Sequence, residues 1–193
     1  MLRAFMTKYE LSPTTSKTYD GATFAPTQVL GSGSADQNKL VYSGDAAAVN
    51  AGTYNVSAYS YQNGYDLVGQ RNTSFSITPK TLTVAGTTVA DKTYDGTATA
   101  TVSIGTVTGL VGTQTLNIAA SGVFSDPNVG TNKNVAVNYL LSNGANGGLA
   151  SNYAVSTQTM MANIMSTSKG NGNGNGNGGT NGNGGGNGKG KVK

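Results

Sequence analysis

The pentapeptide Lys-Thr-Tyr-Asp-Gly occurs twice in this chain, at residues 17–21 and 92–96. An Asn-x-Gly-Thr element follows each copy, and each copy then closes on an apolar strand, at residues 75–80 and 161–165. Landmarks that recur in one order indicate a repeat architecture, which constrains the fold more strongly than local propensity does. Because the spacing between landmarks drifts along the chain, we expect two related modules whose loops differ in length.

The boundary between the modules is expected at Pro79, because proline cannot donate a hydrogen bond within a sheet and tends to end a strand. The predicted organisation has four parts. They are an N-terminal flank at residues 1–12, a first β module at 13–79, a second β module at 80–165 and a tail at 166–193.

Apolar and polar residues alternate with a period of two at residues 53–58, 98–104 and 134–140. Such alternation, bounded by Gly, Asn and Asp, is typical of half-buried antiparallel strands. No segment carries a convincing helical stripe. The sequence therefore predicts an all-β protein built from two tandem, small antiparallel β-sandwich modules, with an immunoglobulin-like or a β-grasp-like topology.

The composition argues against most enzyme mechanisms. The chain contains no Cys and no His. It therefore lacks thiolate metal ligands, the commonest general base and the commonest zinc ligand. We expect no enzymatic activity, no cofactor and no bound metal. Oxygen ligands at Asp36 and Asn38, and again at Asp126 and Asn128, have the spacing of a calcium loop but lack a bidentate acid further along.

The net charge of +4 comes entirely from four lysines near the C-terminus, Lys169, Lys189, Lys191 and Lys193. The predicted β modules are neutral, so nucleic-acid binding is not expected. Residues 170–188 contain only Gly and Asn apart from Thr180. A segment without apolar side chains cannot offset its ordering entropy, so the tail is expected to be disordered and to act as a linker.

The repeated motif itself has two interpretations. Asp-Gly between strands favours a tight turn, since Gly adopts positive φ and Asp bonds its own backbone. The expected turn markers are Tyr19, Asp20 and Gly21 in the first copy and Tyr94, Asp95 and Gly96 in the second, with each tyrosine packed at the end of its module. The alternative, a catalytic Tyr–Asp pair, would need a partner acid or base and would have no reason to be repeated.

Tyr59 and Tyr61 lie on one face of a predicted strand and are the best candidates for contact with a ligand. Exposed tyrosine rings could stack on a glycan, although tyrosines on strands are more often packed than exposed. A carbohydrate-binding module is therefore the alternative function.

Several short segments occur in a fixed order along the two modules. The second module contains TPKTLTV at 78–84, DKTYDGT at 91–97, GLVG at 109–112, FSDPNVG at 124–130 and SNY at 151–153, and the first contains KTYDG at 17–21, YSG at 42–44 and NAGTY at 50–54. With these segments the second module resembles, over about residues 81–164, the YDG domain of large bacterial surface proteins of the filamentous haemagglutinin type. The first module is similar to the MBG domain found beside YDG repeats.

The resemblance implies a non-enzymatic, adhesin-like protein that is extracellular or attached to the bacterial surface. Its export signal is expected elsewhere, because the N-terminal residues lack the apolar core of a signal peptide and no segment is apolar enough to span a bilayer. Domains of this size are marginally stable alone, so neighbouring β modules of a parent protein are the expected partners. A host or cell-surface glycan or protein is the further expected partner.

Overall fold

A computed structural model of the chain describes residues 7–11, 15–25, 29–31, 40–60, 65–67 and 72–167. These residues form β-strands and one turn of 3-10 helix at Ala150–Asn152, with no α-helix among them. The expectation of an all-β protein is confirmed over this part of the chain. In the described ranges, no helix has the length and apolar character needed to cross a bilayer.

The strands before Pro79 form what we call the N-terminal unit. They are β1 (Thr7–Leu11), β2 (Thr15–Thr18), β3 (Val29–Gly31), β4 (Leu40–Gly44), β5 (Gly52–Ser60), β6 (Tyr65–Leu67) and β7 (Asn72–Thr78). Four of them make a sheet in the order β2-β7-β5-β4, and the others make a three-stranded sheet in the order β3-β1-β6. The four-stranded sheet buries Val56, Phe75 and Ile77, which alternate with more exposed residues as a half-buried sheet requires.

The strands after Pro79 form the C-terminal unit. They are β8 (Lys80–Ala85), β9 (Thr88–Val89), β10 (Lys92–Thr93), β11 (Thr99–Ala100), β12 (Val102–Ser103), β13 (Thr106–Thr108), β14 (Leu116–Phe124), β15 (Gly130–Asn143), β16 (Tyr153–Val155) and β17 (Gln158–Met165). The main sheet has five strands in the order β10-β17-β15-β14-β11. Two smaller sheets, β13-β8-β16 and β12-β9, complete the unit.

The core of the C-terminal unit lies on one face of its five-stranded sheet. Phe124, Val135, Val137, Ala162 and Ile164 are buried there in one cluster with Ala100. The alternation predicted over residues 134–140 is confirmed, since Val135 and Val137 point into this core. Tyr139 packs against this core, and its hydroxyl lies 2.8 Å from the hydroxyl of the buried Thr87 and donates to Gln158 Oε1 at 2.8 Å.

The predicted antiparallel pairing is found for most pairs of strands but not for all, because both main sheets are mixed. In the N-terminal unit β2 runs parallel to β7, and in the C-terminal unit β10 runs parallel to β17. The other pairs in these two sheets are antiparallel. Alternation along a strand shows which side chains share a face, but it carries no information about the direction of the neighbouring strand. The structure supplies that direction: each KTYDG segment runs parallel to the closing strand of its own unit.

The two units share a buried cluster where β7 ends and β8 begins. Tyr19 and Ile77 from the N-terminal unit pack with Leu82 and Tyr153 from the C-terminal unit, and all four are at most 4% exposed. Pro79 is the single residue between the two strands. The short connection leaves the end of one unit against the beginning of the next.

Candidate functional site

The first KTYDG copy forms a strand followed by a tight turn. The Asp20 carboxylate accepts a hydrogen bond from the Ala22 N–H at 2.9 Å and pairs with the Lys17 ammonium at 2.7 Å. The lysine contact, together with the Ala22 hydrogen bond, holds the pKa of Asp20 below its ordinary value. Gly21 has a φ of +80°, which favours glycine over residues that carry a Cβ atom.

The second copy repeats this geometry closely. The Asp95 carboxylate accepts from the Thr97 N–H at 2.8 Å and pairs with Lys92 at 2.7 Å, and Gly96 has a φ of +79°. The hydrogen bond from Lys92, and next those from Thr97, lower the pKa of Asp95 to about 2. All of these partners stabilise a charged carboxylate in a turn, which is a structural use of the aspartate.

Tyr19 of the first copy is 3% exposed and reaches into the C-terminal unit. Its ring meets the ring of Tyr153 edge-on, with the centroids 5.4 Å apart. The Gln114 side-chain nitrogen donates to the Tyr19 hydroxyl at 2.9 Å, and the Gln114 side-chain oxygen accepts from the Tyr153 hydroxyl at 2.5 Å. The Tyr153 hydroxyl also accepts from the Val111 N–H at 3.1 Å. One glutamine therefore links tyrosines from both units in a continuous chain of hydrogen bonds.

A second polar contact between the units is centred on Asn152, which is completely buried. Its side-chain oxygen accepts from the Ala51 N–H at 2.7 Å, and its side-chain nitrogen donates to Asn50 Oδ1 at 3.0 Å. Both partners belong to the first Asn-x-Gly-Thr element. A buried amide with its donor and its acceptor groups both paired gives specificity, because a poorly aligned joint would leave those groups unsatisfied.

The turn glycine of the first copy lies directly against the C-terminal unit. A Cβ atom built on Gly21 would come within 2.9 Å of a methyl group of Val111. We call Val111, Gln114, Asn152 and Tyr153 the entrance face of the C-terminal unit. Tyr19, Gly21, Asn50 and Ala51, which contact it, are the Tyr19 end of the N-terminal unit.

The turn residues of the second copy have no such contacts. Tyr94 is 42% exposed, and a Cβ atom on Gly96 would meet no atom within 4 Å among the described residues. The same five residues thus form the same turn twice, once buried in a joint between units and once on a surface. The expectation that each tyrosine packs at the end of its unit describes Tyr19 and does not describe Tyr94.

Sequence reasoning missed Gln114 and Asn152 as functional residues. Asn152 lies in the SNY segment that contributed to the family resemblance, so a signal for it existed without a role attached. Gln114 follows the GLVG segment in an irregular loop, where no periodicity marks a side chain as buried. Both roles depend on partners far away in the sequence.

Of the remaining candidate residues, the structure describes only some. The side chain of Tyr59 and the whole of Tyr61 lie outside the described residues, so glycan contact through them stays a prediction. Asp36 and Asn38 also lie outside them. The Asp126 carboxylate forms an ion pair with Lys133 and accepts a hydrogen bond from the Asn128 N–H. The described residues contain no group of three or more acidic, His or Cys side chains placed to hold a metal ion.

Comparison with known proteins assigns one segment of the chain. Residues 78–160 match the YDG domain. The sequence has no match among curated proteins. The matched segment includes the second KTYDG copy and the whole entrance face of the C-terminal unit. The N-terminal unit lies almost entirely outside the matched YDG segment, so its likeness to the MBG domain remains a prediction.

Proposed function

We propose that the chain is a non-enzymatic structural segment in which residues 13–79 and 80–165 are tandem β-sandwich modules held end to end. The first is of the MBG type and the second of the YDG type. The modules act as a stalk or interaction segment of a bacterial surface or secreted adhesin. The Gly- and Asn-rich residues 166–193 serve as a disordered spacer.

The observation that carries this proposal is the joint between Tyr19 and the entrance face. It combines an aromatic contact, two paired polar networks and a close approach of backbone to side chain at Gly21. Several independent contacts across one short connection resist both bending and twisting. A stalk needs that resistance, whereas two domains joined by a flexible linker would not provide it.

Location at the bacterial surface is supported by the YDG match and by the composition. A chain without Cys and with few charged residues suits export in an unfolded state, since no thiol chemistry is needed for folding. The partners proposed for the adhesin are neighbouring β modules of a parent protein and a host or cell-surface glycan or protein. Protease treatment of intact cells tests the location: digestion that requires cell lysis would contradict it.

Distances between two spin labels test the rigid joint. The natural chain has no Cys, so the exposed residues Thr53 on β5 and Ser121 on β14 can be replaced by Cys and labelled selectively. Double electron–electron resonance should give one narrow distance distribution between the units. Tyr19→Ala should broaden it, because the ring and the hydroxyl that bind the entrance face are lost.

Tyr94→Ala is the matched control, since it changes the same motif at the exposed copy. It should leave the distribution unchanged. A broad distribution in the chain with native Tyr19 would contradict the stalk proposal. Equal broadening by both substitutions would show that the motif acts within its own unit and not at the joint.

A further inference from the structure

The KTYDG segment pairs with the closing strand in the same register in both units. Lys17 pairs with Ile77 and Thr18 with Thr78 in the N-terminal unit, while Lys92 pairs with Ile164 and Thr93 with Met165 in the C-terminal unit. The next residue continues the match, because the Tyr19 N–H donates to the Thr78 carbonyl at 2.9 Å and the Tyr94 N–H to the Met165 carbonyl at 2.8 Å. Each KTYDG tyrosine therefore stands beside the last residue of the closing strand of its unit.

The Asn-x-Gly-Thr elements correspond in the same way. Gly52 pairs with Ile77 and Gly130 pairs with Ile164, so each element begins the strand next to the closing strand. Asn128 and Val129 consequently occupy the positions that Asn50 and Ala51 hold at the joint. We call Tyr94, Gly96, Asn128, Val129 and Met165 the Tyr94 end.

The Tyr94 end is apolar and uncovered within the described part of the chain. Tyr94 is 42% exposed, and Val129 and Met165 are each 51% exposed. At the joint, the counterpart Tyr19 is only 3% exposed. The turn, its lysine–aspartate pair and its positive-φ glycine are otherwise the same, so the second copy already has the conformation that the first copy uses for docking.

We propose that the Tyr94 end is a docking surface for the entrance face of a further β module of the YDG type, supplied by a separate chain. This inference rests on the function proposed above and names the partner of its free end. The occupied joint has a connection of one residue, Pro79, whereas the 28 residues 166–193 follow Met165 without a hydrophobic strand pattern, so we assign the partner to another chain. A second copy of this chain offers no free entrance face, because its own Tyr19 end covers it.

The chemistry of the partner follows from the occupied joint. It presents a glutamine whose amide donates to the Tyr94 hydroxyl and a tyrosine whose ring meets that of Tyr94 edge-on. A buried asparagine accepts from the backbone at Val129 and donates to the side chain of Asn128. A small apolar side chain in the place of Val111 packs on Gly96. Val129 adds apolar surface where the first joint has an alanine.

The experiment uses the full chain extended after residue 193 by a copy of residues 79–165 in which Tyr94 is changed to Phe. Residues 166–193 then act as the tether, and a flexible Gly-rich chain of that length spans about 30 Å on average. The readout is nitration of Tyr94, located by mass spectrometry. If the tether supplies an effective concentration ten times the dissociation constant, labelling of Tyr94 falls about tenfold relative to the unextended chain.

Changing Tyr153 to Ala and Gln114 to Ala in the added copy alone should restore labelling. Undiminished labelling beside a folded added copy contradicts the proposal. If the added copy does not fold on the tether, it is joined directly after Met165, as Pro79 follows Thr78. Labelling of Tyr94 that stays fast in that variant also overturns the proposal.

Other occupants give distinct results with the natural chain, and each would overturn the proposal. Slow labelling that becomes fast when residues 166–193 are removed would assign the face to the tail. Protection that grows with protein concentration would assign it to a second copy. Tyr19 in the same samples tests the stalk separately. Fast labelling of Tyr19 would defeat the proposed function itself, whereas protected Tyr19 with unprotected Tyr94 would defeat only this inference.

Discussion

At the scale of single residues, the joint depends on side chains whose polar groups are all paired. Asn152 is buried and uses both ends of its amide across the joint, and Gln114 does the same between two tyrosine hydroxyls. Removing one member of such a network leaves the others buried without partners, which costs more than the hydrogen bond itself contributes. These two residues are therefore expected to be more sensitive to substitution than their sequence context suggests.

Asn152→Ala should lower the free energy of unfolding by about 1–3 kcal/mol, because the partly buried Ala51 N–H loses its acceptor. Thermal unfolding followed by circular dichroism measures this change. Asn128→Ala is the control, because Asn128 is an exposed asparagine of the same unit, at the position that Asn50 holds in the N-terminal unit. A loss of equal size in both variants would contradict the role assigned to Asn152.

The two turn glycines provide a matched pair. Each Gly→Ala change places a side chain at positive φ, at a cost of about 1–2 kcal/mol. Gly21→Ala should cost more than Gly96→Ala, because only at Gly21 does the new methyl group meet Val111. Chemical denaturation of both variants measures the difference. Equal losses would show that Val111 moves aside freely.

At the scale of elements, each KTYDG segment is a short parallel edge strand closed by an Asx turn and an ion pair. The lysine side chain folds back over the turn, so that Lys92 also donates to the carbonyls of Thr97 and Thr99. This self-contained geometry explains why the turn forms in both units regardless of what lies against it. The stability of the edge strand therefore depends on the aspartate being charged.

The lowered pKa of Asp95 makes part of the stability dependent on pH. A carboxylate whose pKa is about 2 in the folded state and ordinary in the unfolded state stabilises the fold above about pH 4. That contribution is lost as the pH falls from about 4 to 2. Asp95→Asn should therefore be less stable than the native chain near pH 6, and the gap should shrink towards pH 2 in urea titrations. A gap that stays constant across this range would contradict the ion-pair assignment.

At the scale of the whole molecule, a shared cluster joins two small units that would each be marginal alone. Tyr19 and Ile77 of the N-terminal unit are buried in one cluster with Leu82 and Tyr153 of the C-terminal unit. Coupling through such a cluster should make the units unfold together.

Tyr19→Ala should cost about 3–5 kcal/mol, as expected for removal of a buried aromatic ring. It should also separate one calorimetric transition into two, because the units lose their main contact. Tyr94→Ala should change stability by less than about 1 kcal/mol, since its ring is on the surface. A single transition in the Tyr19→Ala variant would show that the units remain coupled by other contacts.

Much of the local structure could be read from the sequence for a physical reason. Period-two alternation places Val135 and Val137 on one face of a strand whatever surrounds it, and Asp-Gly favours a turn in both copies because glycine adopts positive φ at low cost. The all-β class followed from such local patterns, whereas the segment that matches the YDG domain was identified by its resemblance to that family. The direction of β2 and β10 could not be predicted, because alternation along a strand carries no information about the direction of the neighbouring strand.

The difference between the two KTYDG copies was decided by tertiary structure alone. Their five residues are identical and form the same turn, so no local property separates Tyr19 from Tyr94. Tyr19 is buried because a connection of one residue brings the entrance face against it, and Tyr94 is exposed because the described chain places nothing there. Burial depends on contacts between residues far apart in the chain, as between Tyr19 and Gln114. The sequence determined the shape of each end, and the fold determined which end is occupied.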